Sequence, residues 1–295
     1  TITAIPYDLF VAGKDGKGIS VLRIWKSETN QFDMKLFNGG NYLRAMEQSS
    51  MAEVITKVLY PEDAHDGGKL LRLSQQYFLV SASIQDIIRR HLLVNRSLDN
   101  LPQLAAIHLN DTHPVLAIPE MMRIMLDECG YGWDEAWAIT QKTMAYTNHT
   151  VMAEALESWS VDLFRMRLPR IYQIVEEINR RFYEDMASKG VTSSTIKNMA
   201  PINDGYIKMA NLAVIGTHSI NGVSALHSTI LKDDVFHDFY VQRPYKFTNV
   251  KNGIAHRRWL CQANPALSSL IQELIGDQFI TDASHLKHLL KYQDD

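Results

Sequence analysis

The spacing of apolar positions divides this chain into strand-like and helix-like stretches that alternate along it. Thr1-Ile2-Thr3-Ala4-Ile5 alternates with a period of two, and residues 18–25 (GISVLRIW) form a second β-rich run after a Gly/Lys/Asp turn at 13–18. From Tyr42 to Leu59 the pattern becomes helical, with Met51, Ile55 and Val58 on one face. A longer stripe follows: Leu70, Leu73, Tyr77, Val80, Ile84, Ile87 and His91 step by three and four residues and predict a major core helix over 69–91. Between these helices lies the polar loop 60–68 (YPEDAHDGG), whose terminal proline and glycines suit a gate.

The apolar run Leu104 to Leu109 stops at Asn110-Asp111-Thr112-His113-Pro114, and a helical pattern begins at Val115, with Pro114 suited to its first turn. A buried strand that gives way to an amide, a carboxylate and an imidazole is where an α/β protein places its chemistry, because ligands collect beyond the carboxyl ends of parallel strands. After a second helix over 134–143, the short strand Met144-Ala145-Tyr146-Thr147 enters a similar turn, Asn148-His149-Thr150. Residues 154–168 read as helix, and Pro169 opens another with Ile171, Val175, Ile178 and Phe182 on its buried face. Leu212 to Ile215 reads as a short strand, followed by Gly216-Thr217-His218-Ser219 and by Asn221-Gly222-Val223 before a further helix. At 250–254 (VKNGI) a third turn offers Asn252-Gly253 for positive φ. The tail from Pro265 reads as helix, a break at Gly276, a short strand and a final helix.

Composition narrows the function. A chain of 295 residues, 46% hydrophobic and 21% charged, can bury a substantial core. Its 30 basic and 33 acidic residues leave a formal charge of -3 with no Lys/Arg stripe, so neither nucleic acid nor a membrane surface is an expected partner. No apolar run reaches membrane-spanning length and the N-terminus lacks the pattern of a signal peptide, which makes a cytoplasmic location the expectation. Cys129 and Cys261 stand far apart without metal-ligand spacing and read as free thiols. The strand-like start without an initiator methionine reads as the interior of a larger domain.

Residue chemistry alone leaves alternatives open. Asp111 and His113 either cap the next helix or belong to a ligand site. A metal shared with His108 is disfavoured, because in an extended strand His108 points away from both. His149 is either a hydrogen-bonded core histidine or a partner for a ligand hydroxyl. Asn148 and Asn252 are ordinary turn residues by default, Asp63 and His65 are loop polars, and Arg257-Arg258 reads as a solvated or interdomain charge pair rather than a phosphate clamp. Neutral imidazole and amide groups suit a sugar, while GxGxxG, P-loop, GxSxG and HExxH fingerprints are missing.

Eight blocks, in order along the chain, carry a resemblance. They are AIPYD (4–8), VLYPED (58–63), KLLRLSQQYFLVSASIQDIIRRH (69–91), AIHLNDTHPVLAIPEMMRI (106–124), AYTNHTVMAEALESW (145–159), LPRIYQIVEEINRRF (168–182), THSINGVSALHSTILK (217–232) and KNGIAHRRWL (251–260). Through them the chain resembles the α-glucan phosphorylases, the glycogen, starch and maltodextrin phosphorylase family, over essentially its whole length. The resemblance implies an α/β fold, helix-rich with a mainly parallel sheet, that is part of the two-domain GT-B glycosyltransferase architecture. Residues 1–252 would be the later part of the N-terminal domain and 253–295 the start of the C-terminal, cofactor-binding domain.

The implied activity of the intact enzyme is phosphorolysis: inorganic phosphate removes the non-reducing-end glucose of an α-1,4-glucan as glucose 1-phosphate. Family members carry pyridoxal 5'-phosphate on a lysine, its phosphate acting as proton donor or acceptor. Matched position by position, His149 and Asn252 hydrogen-bond the glucosyl unit, and Asp111 and His113 form the polar side of the pocket near the anomeric carbon. Asp63 lies in the gating loop, Val223 packs near the cofactor, and the helix near 42–59 meets its counterpart in a homodimer. Many members read Asn-Asp-Asn after the Tyr-Pro of the gate, where this chain has Glu62-Asp63-Ala64, and Ala255-His256 stands where well-studied members have Thr-Pro. The cofactor lysine falls outside this chain, so the fragment alone is expected to bind no cofactor and to be inactive. The rival expectation is a non-catalytic carbohydrate-binding or dimer-scaffold fragment.

Overall fold

Period-two alternation builds the first element: β1 (Thr3–Ala12) and β2 (Ile19–Glu28) pair antiparallel, from Thr3 opposite Glu28 to Ala12 opposite Ile19. The computed structural model describes residues 2–13, 16–29, 33–152 and 155–294. By internal contacts the chain forms two units, Thr1–Asn249 and Val250–Asp295.

After α1 (Met34–Asn38), which Asp33 caps, comes α2 (Tyr42–Lys57). Its buried line is Ala45, Ala52 and Ile55, whereas Met51 and Val58 are exposed, so of the three residues expected on the inner face only Ile55 is inside. The helix packs against β2, where the Ser27 N–H donates to Thr56 Oγ1 at 3.0 Å. α3 (Asp66–Val94) starts three residues before its apolar stripe, because His65 Nδ1 accepts the Gly68 N–H at 3.0 Å as an N-cap. Leu73, Val80 and Ile84 are buried as the spacing predicts, and Ile88, rather than Ile87, closes the stripe.

The apolar run at 104–109 is divided between α4 (Leu101–Leu104) and β3 (Ile107–Asn110). Pro114 lies in the turn before α5 (Ala117–Asp127), not in its first turn, and its carbonyl accepts the Ala117 N–H at 2.9 Å. α6 (Trp133–Thr143) leads directly into β4 (Met144–Thr147). The helix expected over 154–168 forms only in its second half, as α7 (Val161–Arg167); residue 154 lies outside the described residues, and Ser158–Ser160 is strand β5. Long-range pairing overrides local propensity there. α8 (Pro169–Ser188) buries Ile171, Val175, Ile178 and Phe182 as expected.

α9 (Ser193–Met199) and the short strands β6 (Ile202–Asn203) and β7 (Tyr206–Lys208) follow, with β5 and β6 both antiparallel to β7. The stretch 212–215, read as a strand, is instead the middle of α10 (Met209–Gly216). It is buried on every side, and a fully buried helix has the same continuous apolar run as a buried strand. β8 (Ser219–Gly222), α11 (Ala225–Ile230), α12 (His237–Gln242) and β9 (Phe247–Asn249) complete this unit.

The central sheet has the order β3-β4-β8-β9 and is parallel throughout, with Asn110 opposite Thr147, Thr147 opposite Asn221 and Gly222 opposite Asn249. Leu109, Tyr146, Ile220 and Phe247 carry the core through the sheet, and α5 adds Ile118, Met121, Met122 and Met125. The fold is therefore helix-rich α/β with a mainly parallel sheet, as the sequence predicts.

In the second unit, residues 250–255 belong to no helix or strand, and Gly253 does not take up positive φ. α13 (Pro265–Ile275) stops at Gly276, whose φ is 81°. The short strand expected beyond it is a 3₁₀ turn, Gln278–Ile280, with Phe279 buried and the Ile280 carbonyl accepting from His256 Nε2 at 3.1 Å.

Candidate functional site at the carboxyl edge of the parallel sheet

The register aligns the carboxyl ends of the four parallel strands, so the turns that follow them share one edge. Asn110 ends β3, and Asp111 then takes φ = 71°, a left-handed conformation that short polar side chains tolerate better than most. Its N–H donates to the Thr147 carbonyl at 2.9 Å and its Oδ1 accepts the Thr112 N–H at 2.6 Å. Together these bonds hold the turn against β4. Asp111 and His113 line a cleft of about 830 Å³ together with Asp63, Arg72, Glu157 and Trp159. Three of the residues expected in the site, Asp63, Asp111 and His113, are thus brought together.

The 60–65 loop forms another wall. Tyr60 has φ = 55°, and its ring meets that of His113 edge-on with centroids 6.5 Å apart. The Asp63 carboxylate pairs with the Arg72 guanidinium. Gly68 at the base of α3 passes so close to the loop that an added Cβ would overlap the Glu62 carbonyl oxygen.

The end of β4 supplies His149, which is exposed, with Nε2 2.6 Å from Asn110 Oδ1. His149 is thereby tied to the residue preceding Asp111. Its neighbour Asn148 is completely buried: its N–H donates to the Asn221 carbonyl at 3.0 Å, its Nδ2 to Tyr146 Oη at 3.0 Å, and its Oδ1 accepts the Thr150 N–H at 2.9 Å. Burial drives the Tyr146 phenol pKa upward, so the hydroxyl stays neutral. His108 points across to Thr147 Oγ1, which itself donates to Asn221 Oδ1 at 2.8 Å, so it is engaged within the sheet. Among the described residues no group of three His, Cys, Asp or Glu side chains is placed to hold a metal ion. Val223, half-buried beyond β8, donates its N–H to His227 Nδ1 at 3.2 Å. Asn252 is exposed and lies in the irregular 250–255 segment of the second unit.

Several residues of this edge escaped the sequence reading. Glu157 Oε1 accepts from Gln76 Nε2 at 2.7 Å, while its Oε2 and the Trp159 Nε1 are buried without a partner. Both lie in the block AYTNHTVMAEALESW, but reading 154–168 as helix removed them from the edge. His227 gave no signal, since a histidine in a short amphipathic helix has no distinguishing period.

The carbohydrate phosphorylase family model matches residues 1–295. The chain is 45% identical over 295 residues to glycogen phosphorylase of Bacillus subtilis and 45% identical over 307 residues to the muscle form of Bos taurus. It is 44% identical over 299 residues to glycogen phosphorylase of Chlamydia pneumoniae. Each alignment takes in 100% of this chain and 36% of the relative, so the chain spans about a third of the length of the curated relatives it matches. The helix-rich α/β layering with a parallel sheet agrees with the GT-B architecture of such enzymes.

Proposed function

Because this chain belongs to the carbohydrate phosphorylase family, a family of glycosyltransferases, we propose that it is the central part of an α-glucan phosphorylase. The intact protein would use inorganic phosphate to release the non-reducing-end glucose of an α-1,4-glucan as glucose 1-phosphate. The observation that carries this reading is the joining of Asp63, Asp111 and His113 on one cleft, with His149 bonded to Asn110 at its border. Neutral imidazole and amide groups match sugar hydroxyls, which offer donors and acceptors but no charge. In this reading His149 and Asn252 bind the glucosyl unit, Asp111 and His113 face its reactive end, and Asp63 belongs to the gate.

Pyridoxal 5'-phosphate, proposed for the intact enzyme, would supply a phosphate for proton transfer, and this fragment alone is proposed to bind none. Val223 offers packing alone, and the buried Lys246 spends its Nζ on the carbonyls of Val214 at 2.9 Å and Thr217 at 2.5 Å. The fragment by itself is proposed to be inactive. The intact protein is proposed to be a cytoplasmic homodimer meeting through α2, a role supported by the exposed Tyr42, Leu43, Met46 and Met51.

The test is phosphate-dependent release of glucose 1-phosphate from maltoheptaose by the intact enzyme. Loss of one sugar contact in His149→Ala lowers kcat/KM by about tenfold or more. Absence of the product from the cofactor-loaded enzyme overturns the proposal, and turnover by the isolated chain overturns its division of labour.

A further inference from the structure

His227 sits in the short helix after β8 and folds back to touch both turns of the sheet edge. Its Nδ1 lies 3.2 Å from the Val223 nitrogen, and its Nε2 lies 3.1 Å from Asn148 Oδ1, a contact between residues 79 positions apart. Each partner fixes a proton. A backbone N–H can only donate, so Nδ1 must be bare. The Asn148 oxygen is identified by the Thr150 N–H that also donates to it, so Nε2 must carry hydrogen. One neutral tautomer satisfies both contacts. An imidazolium would set a second N–H against that of Val223.

We propose that His227 is a positioning residue: as the neutral Nε2–H imidazole it ties the Asn148-His149-Thr150 turn to the Val223 turn and keeps His149 in place at the cleft border. Asn148 has no exposed surface, and its remaining bonds run to Tyr146, Thr150 and the Asn221 carbonyl. The histidine therefore closes the last side of a buried amide whose chain neighbour is His149. Ser224 Oγ accepts the His227 N–H at 3.1 Å and sets the start of the helix from which the ring reaches back. Burial first, and then the neighbouring His149, resist protonation of His227, against a weaker opposing pull from the Thr150 backbone. Lowering the pH below the point where His227 accepts a proton frees the Val223 N–H and releases His149 from its register. That His149 serves sugar binding rests on the phosphorylase reading; the tie itself does not.

Histidine-selective ¹⁵N labelling of this chain tests the tie directly. Long-range ¹H–¹⁵N correlation is expected to show His227 as the Nε2–H tautomer at neutral pH, with its protonation midpoint below that of a free histidine. His227→Gln can accept with its oxygen and donate with its amide, so it should preserve the His149 ring resonances. His227→Leu should shift those resonances, and should weaken maltopentaose binding by the intact enzyme about tenfold, the equivalent of about one to two hydrogen bonds. A ring protonated on Nδ1 at neutral pH overturns the proposal, even if the leucine variant fails to fold. So does a leucine variant that leaves the His149 resonances unmoved. If wild-type His227 shows the expected tautomer and the enzyme ignores maltopentaose, the glucan reading fails and the tie stands.

Discussion

Gly68 is where the gate loop and α3 touch most closely, and adding one methyl group there measures how firmly the loop is seated. A Cβ at this position would overlap the Glu62 carbonyl oxygen and stand 2.9 Å from its carbon and 3.3 Å from Asp63 Cα. Non-bonded contacts settle at about 3.2–4.0 Å and the oxygen would lie only 1.7 Å away, so the loop backbone has to retreat by about 1.5–2 Å. Overpacking of this kind costs about 1–3 kcal/mol, while alanine in a helix recovers up to about 1 kcal/mol relative to glycine. The net loss for Gly68→Ala is then between about 0 and 3 kcal/mol, towards the upper end because the overlap is with backbone. A ceiling follows from the loop's own ties: about 0–1 kcal/mol for the Asp63–Arg72 pair, about 1 for the His65 cap and about 0.5–1.5 for the Tyr60–His113 contact. Beyond that sum the loop swings away while the core remains folded.

Two measurements separate these outcomes. Urea unfolding reports the global loss, and hydrogen exchange of the 60–65 amides reports the loop. Gly67→Ala is the control, because its Cβ meets only the His65 ring, at 3.3 Å. The control is expected within about 0.5 kcal/mol of wild type with unchanged exchange. Gly68→Ala should lose stability, speed exchange over 60–65, or both. Equal behaviour of the two variants in both assays would refute the packing argument.

Three further outcomes are expected. Glu120 is wholly buried and accepts from Arg123 Nε at 2.8 Å, Ser81 Oγ at 2.7 Å and Tyr77 Oη at 2.9 Å. Glu120→Gln should therefore cost about 3 kcal/mol in urea unfolding, because it leaves the Arg123 guanidinium without its buried counter-charge, and a cost under about 0.5 would contradict that pairing. Burial pushes Lys246 down to about 7, so between pH 7 and its unfolded value near 10.5 the unfolded chain holds a proton that the folded chain has lost. Stability from this group rises through that window by up to about 1.4 kcal/mol per pH unit and is flat below it. Lys246→Met should remove that slope, and identical wild-type and variant pH profiles would show that the charge is solvated. At Asp111, whose φ is 71°, alanine should be less stable than glycine by about 1 kcal/mol, read from paired thermal melts; equal melting would mean that the turn relaxes out of the left-handed region.

What could be read along the chain depended on whether burial was one-sided. α3, α6 and α8 each cover one face, so period 3.6 shows in their residues and they were legible; α10 is enclosed, and Leu212 to Ile215 carry no period at all. β5 was hidden for another reason: Ser158–Ser160 becomes a strand only because Tyr206–Lys208, about fifty positions later, lies beside it. The site divides along the same line. Polar turns after apolar strands were visible, because parallel strands must end in loops that cannot be buried without hydrogen-bond partners. Their assembly was not visible, because it rests on the left-handed Asp111 and on His227 reaching back to Asn148. A histidine at 227 has this meaning only with an asparagine at 148, since a side chain without an acceptor there would leave Nε2–H buried and unpaired. Either residue alone reads as ordinary; the constraint belongs to the pair, and only the register that sets β4 beside β8 brings the two residues within reach.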